Sequence, residues 1–249
     1  MSSNAVTTYR AAASGEESRV TTSKATKSHF PGFVASSPTA QHCLTVLIRG
    51  GEFRSANFVV PISDGGLKIS GGVENGTFVA PSDGSHGIYG KSLAVPGGVT
   101  GVGAVSRALG SMGNVTAQVQ AVKPLLLNDL LAFDLTLFLR IHVQNPLVGG
   151  ECYIGTPSEP LTVRMQRIEG DDHIPKLTRD GIPSGVIAIG NINVAASNFK
   201  VPAVTGAGPM GAFNTVVNVR ASLPNSGVST SLSIRADAYM AQNPDYSGD

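Results

Sequence analysis

Between Leu135 and Gln144 the side chains alternate without a break. Leu135, Leu137, Leu139, Ile141 and Val143 fall on one side, and Thr136, Phe138, Arg140, His142 and Gln144 on the other. Successive residues of a strand point to opposite faces, so this period of two predicts a strand with one buried face, near the centre of a sheet. The same rule predicts strands over Val115–Ala121, Leu161–Gln166 and Leu232–Ala238, and Val186–Val194 with Phe199–Val201 supplies one or two more. Thirty Gly and 15 Pro interrupt the 249 residues too often for long helices. The expected fold class is therefore mainly β: an antiparallel β-sandwich or barrel-like domain of about eight to ten strands, with one or two short helices.

Two segments carry helical spacing. Leu126, Leu127, Leu130 and Leu131 follow Pro124 and predict a short helix over Leu125–Phe133. Phe213, Val216, Val217 and Ala221 predict a second, ended by Leu223-Pro224. Turns are expected at Gly50-Gly51, between runs at Cys43–Ile48 and Glu52–Val60, and at Ser63–Gly66, Asn75-Gly76 and Ser82–Ser85. Asn-Gly suits a tight hairpin, whose two central residues both need positive φ. Glu169–Pro183 is polar and reads as loop.

Residues 1–29 have too little apolar content to form a core and are expected to be a flexible polar tail, with strand donation by the segment from Arg19 as the alternative. A single β domain is expected over 30–240, and a flexible C-terminal tail over 241–249. A net charge of +1, from 18 basic and 17 acidic residues, supplies no basic stripe, so nucleic acid is not an expected partner. The most apolar stretch, Leu125 to Ile141, is interrupted by Asn128, Asp129, Asp134 and Arg140, and no membrane span is expected. Met1 to Lys27 lacks the apolar run of a secretory signal.

No constellation for chemistry emerges, and no catalytic, cofactor-binding or metal-ligating residue is assigned. His42 and Cys43 adjoin, but on a strand they face opposite ways and cannot hold one ion. His142 reads as a solvated side chain beside Arg140 and Gln144. His173 follows Asp171-Asp172, a pairing that reads as an acidic turn, without EF-hand spacing. The series Gly97-Gly-Val-Thr-Gly-Val-Gly103 lacks both the Gly-Lys-Ser/Thr ending and the βαβ frame of a phosphate loop.

Asn145-Pro-Leu147 leading into Cys152-Tyr-Ile-Gly155, together with Phe30-Pro-Gly-Phe33, Val59-Val-Pro-Ile62, Leu93-Ala-Val-Pro-Gly-Gly98 and Val201-Pro-Ala-Val-Thr-Gly206, resembles a family of secreted actinobacterial proteins of unknown function, over roughly Phe30 to Met240. The resemblance implies export, a signal peptide and two cysteine pairs, and it brings no catalytic residues. This chain has Cys43 and Cys152 without the partners that the family would place near Phe33 and at Ala207. The two can pair with each other or remain as two buried thiols, the latter being favoured, and loss of both bridges suits a reducing compartment.

These readings predict a non-enzymatic structural or binding protein of the cell envelope or extracellular space, with a protein or envelope component as partner. The absence of a signal segment leaves a cytoplasmic location as the alternative. Two other classes stay open. One is a hydrolase whose site, drawn from His142, Asp171 or Asp172, is assembled from separate loops. The other is a self-assembling particle or filament subunit, a homo-oligomer joined through the N-terminal arm.

Overall fold

The computed structural model describes residues 7–11, 18–22, 40–56, 58–98, 107, 110–168, 176–178 and 186–243. Alternation of apolar and polar side chains becomes alternation of inside and outside. Along Leu161–Arg167, for example, Leu161, Val163 and Met165 are buried while Thr162, Arg164 and Gln166 are exposed. The strands in chain order are β1 (Thr7–Ala11), β2 (Ser18–Thr22), β3 (His42–Ser55), β4 (Phe58–Ile62), β5 (Leu67–Glu74), β6 (Thr77–Val79), β7 (Ile88–Ala94) and β8 (Thr116–Ala121). There follow β9 (Leu126–Asp129), β10 (Asp134–Gln144), β11 (Tyr153–Ile154), β12 (Leu161–Arg167), β13 (Lys176–Thr178), β14 (Val186–Ser197), β15 (Val204–Thr205) and β16 (Thr230–Gln242). An α-helix, α1, spans Asn214–Ala221.

Eight of these strands close a ring in the order β3-β5-β7-β8-β10-β12-β14-β16, all antiparallel, with β16 returning to β3. The sandwich-or-barrel alternative is thus resolved as a closed barrel. Its core is the bore of the ring, lined by the inward residues of every strand. Shorter strands extend the wall where ring strands outrun their neighbours: β4 flanks the end of β3, β11 the end of β10, and β15 lies beyond β11. β1 and β2 pair with each other in a separate two-stranded sheet. The rest of the expected N-terminal tail and residues 244–249 of the expected C-terminal one lie outside the described residues.

Two local expectations are corrected, and the choice between one strand and two after Val186 falls to one. Leu125–Phe133 is not a helix: Leu126–Asp129 pairs with β10 as a hairpin arm. Asn128 donates across the hairpin to Asp134 and Thr136, and Asp129 accepts from the backbone N–H groups of Leu131 and Ala132, so side chains compete with helical hydrogen bonding. Gly50-Gly51 is not a turn but lies inside β3. The pairing shifts there, leaving Arg49 as an extra residue opposite β16, and a side chain on Gly51 would run into the Ser233 carbonyl. Phe199–Val201 is not a strand either, because Asn198 turns at positive φ and Pro202 has no N–H to continue the ladder. Only Val201 exchanges backbone bonds, with Asn225.

Asp237 ties down the β3 irregularity. Arg49 Nε donates to its Oδ2 at 2.6 Å, and on the other side the Asn191 N–H donates to its Oδ1 at 3.1 Å, where β14 carries its own bulge. At the closure of the ring Asp134 has a similar place. Arg164 Nε and Nη2 donate to its two oxygens at 3.0 and 2.6 Å, and Gln166 and Asn128 add bonds at 3.0 and 2.9 Å. The Arg164 guanidinium holds the Asp134 carboxyl well below the usual carboxylate range, against the opposing effect of burial.

Two outcomes test this frame. Gly51→Ala should lower unfolding stability by about 1–3 kcal/mol in urea, whereas Gly150→Ala, where an added carbon meets nothing within 4 Å, should change it by less than about 0.5 kcal/mol. For Asp134 the folded-state pKa lies below the unfolded value of about 3.9. Its contribution is therefore complete above roughly pH 5 and lost as pH falls through the folded-state value. Asp134→Asn should flatten the stability profile below about pH 5, leaving a less stable protein at neutral pH.

Candidate functional site

The bore is not filled by its own side chains. Small residues stand at several inward positions, among them Ala117, Ala121, Ala236 and Ala238, and the space divides in two. Leu67, Leu137 and Leu139 line both parts and so stand between them. The larger cavity, about 350 Å³, lies toward the C-terminal ends of β3 and β10. Phe53, Val60, Val119, Ile141 and Val163 contribute to its wall. The smaller, about 200 Å³, lies toward the start of these strands, among Leu44, Val46, Met165, Ile189 and Met240.

α1 and Phe213 just before it cover the larger cavity, through Phe213, Val217 and Ala221. Two asparagines fix it there: Asn218 Oδ1 accepts from the Val204 N–H at 2.8 Å, and Asn214 Oδ1 from the Ala207 N–H at 2.9 Å. Gly208, at φ 71°, lets the Phe213 ring pack against the backbone where any side chain would collide. The rim is apolar as well. Phe213 and Leu147 are each 41% exposed and Val216 63%, and outside the lining Met210 is fully exposed and Val219 mostly so.

Two side chains in the lining of this cavity carry polar groups, Asn145 and Arg220. Asn145 is engaged, its amide donating to the Asn114 carbonyl at 2.7 Å and its Oδ1 accepting from the Leu147 N–H at 2.8 Å. Those bonds shape the 145–150 turn by which β10 doubles back as β11, with Val143 N–H donating to the Cys152 carbonyl at 2.8 Å. Arg220, from the last turn of α1, has its Nε buried without a hydrogen-bond partner. The block containing Cys152 thus builds one end of the barrel.

His142 lies on the outer wall and lines neither cavity. Its Nε2 is 2.8 Å from the Gly150 carbonyl, and its ring stacks on Tyr153, over which Arg140 also sits. Gln120 accepts from Arg140 at 2.9 Å, and Gln144 Oε1 from Ser92 and Thr116 at 3.1 Å, completing a polar lattice between strands. His29, His173, Asp171 and Asp172 lie outside the described residues. Among the described residues, no group of three or more His, Cys, Asp or Glu could hold a metal ion.

Cys43 and Cys152 are both buried, and no disulfide joins them. Cys43 packs with Ala40 and Ala241, whereas Cys152 belongs to the main core, so the two sit in different clusters. Burial pushes the Cys152 thiol up to about 11. Sequence reasoning missed the cavity and Arg220. The signal was the small residues at inward positions of otherwise large-residue strands, and a helix with valines on more than one face.

Compared with known protein families, with curated proteins and with solved structures, the chain matches none.

The thiols give a direct check. Native protein should react slowly with a thiol-specific reagent at pH 7, and denatured, unreduced protein should yield two thiols per chain. Intact mass after alkylation in denaturant reads the count.

Proposed function

We propose that the protein is a non-enzymatic container that binds a small apolar molecule in the larger cavity of its barrel. The observation that carries this reading is a cavity of about 350 Å³ whose wall is apolar almost throughout. An eight-stranded ring is just wide enough either to be filled by side chains or to hold one small ligand. Ligand sites commonly have this size and apolar character, and an apolar cavity excludes water, leaving its wall without contacts that a ligand would supply. At roughly 30 Å³ for each group, about the share a water takes in the liquid, the space suits about a dozen heavy atoms. The exposed rim of Phe213, Val216 and Leu147 offers an apolar approach to it. This is one form of the binding protein expected from the sequence, and the envelope or extracellular location implied by the resemblance goes with it as a proposal.

The test is saturable binding of an environment-sensitive apolar fluorophore. A ligand of about a dozen heavy atoms should bind with a Kd on the order of 10–100 μM and raise the Tm as its concentration rises. Ala117→Phe, which places a ring inside the cavity, should weaken binding at least about tenfold while the protein stays folded. Absence of saturable binding, or binding indifferent to Ala117→Phe, would refute the proposal.

A further inference from the structure

We infer that the ligand of the larger cavity is an anionic amphiphile, such as a medium-chain carboxylate, with its chain in the barrel and its head group on Arg220. The inference rests on the proposed binding reading and adds to it the chemistry of the head group. Its basis is the contrast between Arg220 and the other polar groups at the two ends. Asn145 spends its amide on the Asn114 carbonyl and the Leu147 N–H. In the smaller cavity, Asp134 is held by Arg164, Gln166 and Asn128, and Asp129 by two backbone N–H groups. Arg220 alone of these polar lining groups has no such use, and its Nε is buried with nothing to donate to.

A buried donor without an acceptor is unfavourable, and more so when it belongs to a cation. The guanidinium is a rigid fork of donors that matches a carboxylate in two-pronged fashion. Arg220 stands at the cavity's α1 end, beside the exposed rim of Phe213 and Val216. A chain entering past the rim would leave its charged end there. A neutral ligand of the same length would fill the wall equally well but leave Nε as it is. A cationic one would be repelled. Arg220 thus selects among apolar ligands, while the barrel itself supplies most of the affinity.

Decanoate, decanol and decylamine share a chain and differ in charge at pH 7. Each would be measured by displacement of the fluorophore, below its aggregation concentration, on the full chain. The expected order is decanoate tighter than decanol by about tenfold, and decylamine weakest. Arg220→Gln should bring decanoate down to the level of decanol while leaving decanol unchanged, and Arg220→Lys should keep part of the preference. Thermal melting checks the fold, and neither variant should melt earlier, since the Nε bond is missing to begin with. Equal affinities for decanoate and decanol in the unaltered protein would overturn the inference but leave the container reading intact. So would an Arg220→Gln variant that weakens both alike. Failure of the fluorophore itself to bind would remove both.

Discussion

β10 is the strand on which the ring closes. One edge pairs with β8 over Thr116–Ala121, and the other with β12 over Leu161–Met165 and then with β11. Without the second pairing the ring would be an open sheet ending in two exposed edges, which favour association with other chains. Closure satisfies those backbone groups internally and fixes the bore. It also fixes which residues face inward, because a slip of one position would turn every side chain of a strand to the other face. The Asp134 cluster sits at this seam, joining the start of β10 to Arg164 and Gln166 of β12.

The cavity follows from closure combined with residue size. An eight-stranded ring has a set diameter, and large inward side chains can fill it. Here Leu67, Leu137 and Leu139 reach far enough to divide the bore, while Ala117 on one side and Ala236 and Ala238 on the other do not fill the space. Such voids cost stability in proportion to their volume. The compensating order lies in the outer wall, where Arg140 bonds Gln120, Gln118 bonds the Gly90 carbonyl and Gln144 accepts from Ser92 and Thr116 from strand to strand, and in Asp237, which holds the bulges of β3 and β14.

What the sequence made legible was the part governed by local period. β10, β12 and β16 followed from alternation, α1 from its spacing and the Pro224 stop, and the Asn75-Gly76 hairpin from its two positive φ angles. The β9 hairpin was hidden because four leucines mimic a helical stripe, while the deciding groups were Asn128 and Asp129 bonding their own neighbourhood. Gly50-Gly51 was misread because close approach to Ser233 and a turn both call for glycine, and only the partner strand distinguishes them. Closure itself was not legible, since a sandwich and a barrel share the same alternating strands and differ in which edges meet. The site was less legible still: His142 stands out in the sequence, yet its ring is occupied by Tyr153 and Gly150 on the outside.

Arg220 illustrates why a site of this kind escapes motif reading. It has no charged neighbour in sequence to form a pattern, and its residue type at the end of a helix is ordinary, since a cation there complements the helix dipole. Its significance comes from three tertiary facts together: α1 lies over one end of the ring, the wall beneath is apolar, and the other polar groups in the two linings are already bonded. The first depends on Asn214 and Asn218 holding the helix to the β15 segment, the second on the inward period of strands distant in sequence. A barrel filled by a larger residue at 117 would leave the same arginine as an unremarkable part of a cap. The cavity turns that arginine into a candidate point of recognition, and the ring's closure makes the cavity.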